Sequence, residues 1–414
     1  MSETSANSGE LEASGTDRTA QRRDRRMQFA LRMAAKLAAG TLTLVLPDGT
    51  SHRFAATPTP AATIVIRDSR ALTRLALGGR LGFAEAYLDE MWETPDLRGL
   101  MALAAANEDV WLATMQGSWW ARTAAHLLHR LRPNTRTGAK RNIIEHYDLG
   151  NDFFATWLDA GMNYSSALFT GPDDALEAAQ ERKLRHMCDS LALRPGLRLL
   201  EIGCGWGGFA EMAARDYGAE VVAITLSPSQ LEFAQARIAR AGLSSKVEFR
   251  LQDYRDVTGT FDRIASIEMF EAVGEKYWPA YFRTLRDRLV PGGLAGVQTI
   301  TIADSLFAEY RRTADFIQRH IFPGGMLPSP SRFSREATRA GLREVQQHWF
   351  GQDYAETLAR WYATFERAWP DIHRRSRHMD GRFKRLWEFY LAYCETGFRH
   401  GWTDVGQVLL TRPA

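Results

Sequence analysis

The stretch Leu199-Leu200-Glu201-Ile202-Gly203-Cys204-Gly205-Trp206-Gly207-Gly208 sets a cluster of glycines directly behind an apolar segment. Glycines so spaced serve where a backbone turns sharply and a ligand must approach it closely, as in a cofactor loop. Nicotinamide, flavin and S-adenosylmethionine sites all use such a loop. Two features favour the last. The next apolar segment ends in Thr225-Leu226-Ser227, with no acidic residue there to hold a nicotinamide ribose. The third runs into Gln252-Asp253-Tyr254, an amide, a carboxylate and a ring suited to the edges and face of an adenine. Glu201, close to the loop, would repel phosphate and tolerate the amino group of a methionine moiety. S-adenosylmethionine is therefore the expected cofactor. No nucleophile-base-acid triad and no metal-ligand spacing is visible, so the metal set is expected to be empty.

The elements that must carry these residues alternate along the chain. Arg198 to Ile202 reads as an apolar strand, Gly207 to Tyr217 as a helix, Glu220 to Thr225 as a strand and Ser229 to Ala241 as a helix. Val247 to Leu251, Phe261 to Ile267 and Leu294 to Ile302 continue as strands, and Pro291-Gly292-Gly293 ends the helix before the last of them. This is the signature of a doubly wound α/β sheet. Val345 to Phe350 and Val405 to Thr411 give two later strands, separated by a largely helical, aromatic-rich insertion from Tyr354 to Arg399. Upstream, Leu42 to Leu46, the turn signal Pro47-Asp48-Gly49 and Ser51 to Phe54 predict a hairpin, and Ala62 to Ile66 another strand. Ala71 to Leu103 carries helical spacing broken at Gly78-Gly79 and Thr94-Pro95. A small α+β domain fits.

At roughly 150 residues per domain, 414 residues suggest two or three domains. Lys plus Arg number 52 against 49 Asp plus Glu, a formal charge of +3, which disfavours a nucleic-acid binder relying on bulk charge. Any basic partner surface must be local. The three cysteines are too few and scattered for a disulfide framework, which points to a reducing compartment. No apolar run of about 18 residues occurs to span a bilayer, and Met1 to Asp17 is polar, so no secretory signal is expected. Residues 1 to 26 end in an arginine cluster and read as a disordered basic arm. Val110 to Arg141 holds six Lys or Arg, no Asp or Glu, and Trp111, Trp119 and Trp120. That composition suits a helix lying flat among lipid headgroups, or equally one docking between domains.

Longer stretches carry a resemblance. His146-Tyr147-Asp148-Leu149-Gly150-Asn151-Asp152-Phe153-Phe154, Met162-Asn163-Tyr164-Ser165, the glycine loop, Gln252-Asp253-Tyr254-Arg255-Asp256, Met269-Phe270-Glu271, Tyr277-Trp278, Ile321-Phe322-Pro323-Gly324-Gly325-Met326-Leu327-Pro328, Trp361-Tyr362 and Trp369-Pro370 follow in order. Together they resemble the cyclopropane-fatty-acyl-phospholipid synthase family, which includes the mycolic acid cyclopropane synthases. The resemblance implies a Rossmann-like class I methyltransferase domain over 142–414, with the helical insertion near 352–400. Residues 27–109 resemble the extra N-terminal domain of the phospholipid-acting members, and 110–141 would be the basic helix and linker.

In that family the double bond of an acyl chain attacks the methyl carbon of S-adenosylmethionine, and a bound bicarbonate removes a proton from the resulting carbocation so that a ring closes. Alignment in a dry, apolar tunnel and tolerance of a cation are what such chemistry needs. Phe153, Phe154, Phe169, Phe270, Phe322, Trp361 and Tyr362 are candidates for the lining. The family's bicarbonate cradle finds Glu271, Ile300 and Tyr362 here, but its cysteine position is Ser166, its histidine position is Gln298, and the histidine that commonly follows the glutamate is Ala272. Histidine relays a proton or carries charge, whereas glutamine only hydrogen-bonds. The expectation is thus methyl transfer without ring closure, giving a methylated alkene. A cyclopropane synthase with a rebuilt cradle, a catalytically silent lipid-binding protein on this scaffold, and a methyltransferase for small soluble substrates stay open beside it.

By the same resemblance, Tyr164 and Ser165 contact the methionine end of the cofactor, and Gly203, Gly205 and Gly207 bring backbone close to it. Thr225 and Gln230 take the ribose, with Gln252 and Asp253 near the adenine. Glu271 is the first catalytic candidate, Tyr362 the second, and Ser166 and Gln298 line the reaction centre. Whether bicarbonate binds is left open by the two substitutions. The implied partner is an unsaturated phospholipid acyl chain at a membrane surface, with the protein cytoplasmic and peripheral to the inner face; a homo-oligomer stays open.

Overall fold

A computed structural model of the chain describes residues 25–115, 149–313, 315–376 and 378–414. The sequence motif His146-Tyr147-Asp148, most of the basic arm and most of the 110–141 segment lie outside them. Contacts divide the chain into two units, Met1–Ala125 with Gly381–Phe389, and His126–Asp380 with Tyr390–Ala414. The sequence reading put 352–400 wholly in the second. Gly381–Phe389 groups with the first because Tyr87 hydroxyl donates to Glu388 at 3.3 Å and Arg382 pairs with Asp89 at 3.2 Å.

In the first unit β1 (Thr41–Val45), β2 (Ser51–Ala55), β3 (Ala61–Ile66) and β4 (Trp92–Glu93) form a sheet in the order β2-β1-β3-β4. The predicted hairpin is the antiparallel β1/β2 pair, and β3 lies parallel to β1. Ala62, Ile64 and Ile66 turn inward on β3 with the period of two that a half-buried strand requires. The helix Arg70–Leu88 is kinked at Gly79, inside the glycine pair read as a break. The helix Leu97–Ala106 starts at Asp96, whose carboxylate accepts from Gly99 N–H. A further helix covers Glu108–Met115, where Trp111 donates its indole N–H to Met33 carbonyl at 3.1 Å. That tryptophan is thus tied to its own unit.

The second unit holds β5 (Arg198–Ile202), β6 (Glu220–Thr225), β7 (Val247–Leu251), β8 (Phe261–Ile267), β9 (Leu289–Ile302), β10 (Arg343–Trp349) and β11 (Thr403–Thr411), in the sheet order β10-β11-β9-β8-β5-β6-β7. Strands β5 to β9 pair in parallel, while β11 runs antiparallel to both β9 and β10. β9 begins earlier than predicted, at Leu289: the chain turns extended as soon as the helix Trp278–Arg288 ends, and a register shift against β8 absorbs Pro291-Gly292-Gly293. One face of the sheet is packed by the helices Trp278–Arg288 and Pro330–Arg339, the other by Leu176–Ser190, Gly208–Tyr217 and Pro228–Arg240. The chain leaves β5 toward β6 and returns on its other side to β8, so a crevice opens at the carboxyl end of β5. No helix of the described residues is long and apolar enough to cross a membrane.

Candidate functional site

The glycine loop leaves β5 at this crevice. Gly205 has φ +50, and a Cβ there would meet nothing within 4 Å, so the backbone borders open space; at Gly203 a Cβ would strike Met269 Cγ at 2.7 Å. Gly207 lies just before the helix Gly208–Tyr217. Glu201 is buried on β5, and among the described residues its Oε2 has no hydrogen-bond partner. Burial pushes its carboxyl up to about 8, partly offset by Lys183 and Arg237. A buried carboxyl with one oxygen unpartnered among the described residues, on the strand that leads into this loop, fits the ammonium end of S-adenosylmethionine, whose charge would favour its ionised form. Among the described residues no cluster of three or more His, Cys, Asp or Glu is placed to hold a metal ion.

Thr225 and Gln230 are both buried at the carboxyl end of β6 and bond each other, hydroxyl to amide oxygen, at 3.2 Å. Ser227 caps the helix that carries Gln230. Gln252 follows β7 and donates its amide to Asp256 carbonyl at 2.8 Å. The carboxylate of Asp253 is gripped by Arg255 at 2.8 and 2.6 Å and also caps the turn that follows. Its recognition of an adenine would therefore act through that pair.

The sequence candidates around the reaction centre converge on two carboxylates. Glu271 sits in the one-turn helix Phe270–Ala272 after β8, and its Oε1 accepts from Ile300 N–H at 2.5 Å and Thr299 hydroxyl at 3.0 Å. Its Oε2 is sealed from solvent and has no partner among the described residues. Burial, and next the charge of Glu268, push Glu271 up to about 8. Sequence reasoning missed Glu268. This residue holds φ +48, a strained conformation for a side chain of its kind, and collects three donors: Ser166 N–H at 2.9 Å, Gln298 amide at 2.8 Å and Tyr354 hydroxyl at 2.8 Å. Burial raises its pKa as well. Ser166 and Gln298 thus meet at Glu268, and the hydroxyl of Ser166 turns to Ala167 carbonyl at 2.9 Å. Tyr362 is buried on the helix Gly351–Arg375, but the tyrosine of that helix bonded to Glu268 is Tyr354.

Lys183 was also missed. Fully buried on the helix Leu176–Ser190, it donates Nζ to Ser165 hydroxyl at 2.5 Å, while Gln180 donates to Ser165 carbonyl at 2.8 Å. Burial pulls its ammonium down to about 8 against the opposing charges of Glu268, Asp159 and Glu201. The signal was present: Gln180, Lys183, Leu184 and Met187 share one helical face, and an amide and a lysine on an otherwise apolar face need buried partners.

Tyr164 hydroxyl bonds Tyr390 hydroxyl at 2.8 Å, and its ring packs against Phe154, Trp157, Trp361 and Phe322. Phe153 joins this cluster through Phe154. Phe270 does not: it belongs to the core beneath the sheet, against Trp278, Tyr281, Phe282 and Phe333. Phe169 lies instead under the Arg360 guanidinium, at 4.4 Å.

Known proteins are similar to this chain in sequence and fold. A family model described as mycolic acid cyclopropane synthetase matches residues 134–408. Tuberculostearic acid methyltransferase of Mycobacterium tuberculosis is 38% identical over 384 residues, 90% of this chain and 88% of its own. Cyclopropane-fatty-acyl-phospholipid synthase of Escherichia coli K12 is 36% identical over 353 residues, 85% of this chain and 88% of that one. Among solved structures, a mycolic acid cyclopropane synthase complexed with SAH and CTAB aligns with a TM-score of 0.62 at 30% identity, covering 68% of this chain and 99% of that chain.

Proposed function

The chain belongs to the mycolic acid cyclopropane synthetase family, an S-adenosylmethionine-dependent methyltransferase of lipid acyl chains, and on that premise we propose that it methylates the double bond of an unsaturated phospholipid acyl chain and releases a methyl-branched alkene instead of a ring. The observation that carries this reading is the commitment of Gln298. Its amide is spent on Glu268 and Gln407, and none of the bonds described for Glu271 comes from a cationic group. An anion beside Glu271 therefore lacks the charge a histidine at this position would lend.

Glu201 would hold the ammonium of the cofactor, with Lys183 and Gln180 fixing Ser165 nearby. When bound, S-adenosylmethionine supplies an electrophilic methyl group to which the alkene donates its electron pair. A cation left on the acyl chain is stabilised by the two carboxylates and by faces of the aromatic cluster around Tyr164. Glu271 Oε2, held in a dry site with a raised pKa, then takes the proton whose loss restores a double bond. One relative is named a tuberculostearic acid methyltransferase and another, of Pseudomonas putida, a probable fatty acid methyltransferase. The retained Glu271–Ile300 contact favours a second reading, ring closure with a rebuilt anion site.

One experiment separates them. The purified protein is given S-adenosylmethionine and vesicles of unsaturated phospholipid, and the product's fatty acid methyl esters are examined by mass spectrometry and proton NMR. Both readings add the mass of one methylene. Vinylic or exomethylene protons are the expected result; upfield cyclopropane protons overturn the branched product and support the second reading. With Gln298→His and Ser166→Cys combined, the ring fraction is expected to rise.

A further inference from the structure

Behind the reaction centre a line of hydrogen bonds crosses three elements. Gln298 on β9 donates Nε2 to Glu268 Oε1 at 2.8 Å and accepts at Oε1 from Gln407 Nε2 on β11 at 3.0 Å. Gln407 Nε2 also donates to the carbonyl of Lys183 at 3.1 Å, and its Oε1 lies 2.7 Å from Nδ1 of His186, on the helix Leu176–Ser190. We propose that His186 is a positioning residue for Glu268, acting through Gln407 and Gln298, with its Nδ1–H donating to Gln407 oxygen at the outer end of the chain. The proposal rests on the reading of Glu268 as part of the reaction centre.

The direction follows from which groups can only accept. A backbone carbonyl has no proton to give, so the atom of Gln407 facing Lys183 carbonyl is the amide nitrogen. Its oxygen must then face His186, and two acceptors at 2.7 Å would repel; Nδ1 carries a proton. The same logic runs inward. Gln407 gives a proton to Gln298 oxygen, which leaves the Gln298 amide nitrogen for the carboxylate of Glu268. Both glutamines are buried, with Gln298 wholly out of solvent, so neither can trade a lost partner for water. The half-buried His186 is backed by the ring of His348 on β10, centroids 4.7 Å apart. That contact holds the ring in place and leaves Nδ1 directed at Gln407. Without the Nδ1 donor, Gln407 oxygen is left buried without that partner, and the side chain keeps its bonds to Lys183 carbonyl and Gln298 only at the cost of that unpaired oxygen, so Gln298 is aimed less firmly at Glu268.

Two measurements test this. In protein carrying 15N-labelled histidine, the ring resonances of His186, assigned by their loss in His186→Asn, are expected to show a protonated Nδ1; a neutral ring protonated only at Nε2 overturns the proposal. In turnover with unsaturated phospholipid vesicles, His186→Leu and Gln407→Met are expected to lower kcat about tenfold or more, the size of one buried amide group left unpaired. KM and the affinity for S-adenosylhomocysteine should stay unchanged. His186→Asn, which places an amide N–H where Nδ1–H stood, should restore most of that loss. Wild-type kcat in the Leu and Met variants overturns the chain, as does an Asn variant no better than Leu. If wild-type protein methylates no lipid at all, the reading of Glu268 fails, and the nitrogen resonances still judge the polarity of the chain in the unmodified fold.

Discussion

Glu271 keeps its proton to about 8, against an ordinary value of 4.5, chiefly because its carboxyl is out of water. The folded chain therefore binds a proton that the unfolded chain has lost across that window. The stabilising effect is fully present below the unfolded value and disappears as pH rises through about 8. Glu271→Gln removes this titration while keeping an oxygen to accept from Ile300 N–H. The variant's melting temperature should gain on wild type steadily between about pH 5 and about pH 9; a constant gap would sink the assignment. In the proposed reaction ionised Glu271 takes the proton, so kcat/KM of wild type should climb with pH and level off above about 8. In Glu271→Gln turnover should fall by about 10²-fold or more, the share ordinarily supplied by a general base. Glu201→Gln makes a second case with opposed signs. It replaces a buried carboxyl, one oxygen of which has no hydrogen-bond partner among the described residues, by a group that cannot ionise, so above about pH 8 the ligand-free protein should melt higher. It also deletes the proposed ammonium partner, so calorimetry should show S-adenosylhomocysteine binding weakened by about tenfold. A lower melting temperature with unchanged affinity would mean that Glu201 is structural.

At the scale of elements, the parallel strands were legible because each is a short apolar run between turn signals, and the observed bounds of β5, β6, β7 and β8 match the sequence reading. The start of β9 was less so, since Pro291-Gly292-Gly293 looks like a terminator and is absorbed as an irregularity within the strand. The candidate site was legible where a motif is local, as in the glycine loop and Met269-Phe270-Glu271. It was not where partners come from distant strands. Nothing in Gln298 announces that Gln407, 109 positions away, will orient it. Glu268 is three residues from Glu271 and still went unread, because its role depends on donors from Ser166, Gln298 and Tyr354. The strand that brings Gln407 depends on close packing: a Cβ on Gly406 would lie 2.4 Å from the Trp349 ring on β10. Gly406→Ala should thus lower stability in urea unfolding by roughly 1–3 kcal/mol and disturb Gln407 next to it. A neutral effect would show that β10 yields without strain.

For the whole molecule, the near balance of 52 basic and 49 acidic residues leaves little net attraction for an anionic surface, so any docking must come from where charge is segregated. Val110 to Arg141 is the stretch that qualifies by composition, with its cations uninterrupted by acids and with Trp119 and Trp120 beside them. The family's substrate chemistry gives such a segment a task, since an acyl chain anchored in a bilayer has to be met at the headgroup level before it can be reached. A cation near an anionic membrane surface contributes about 1 kcal/mol, or about fivefold in partitioning, and the contribution fades as salt shortens the screening length. Replacing Arg130 and Arg132 together by Gln should therefore weaken sedimentation with anionic phospholipid vesicles by about 25-fold at low salt. With zwitterionic vesicles, or at high salt, the difference should nearly vanish. Affinity for S-adenosylhomocysteine should stay at the wild-type value, because neither arginine is among the candidate cofactor residues, most of which lie at the ends of β5, β6 and β7 or just after them. Methylation of vesicle lipid should fall in step with binding and recover at saturating lipid. If both variant and wild type bind anionic vesicles alike, the arginines serve the fold instead, and the enzyme must meet its lipid through another surface.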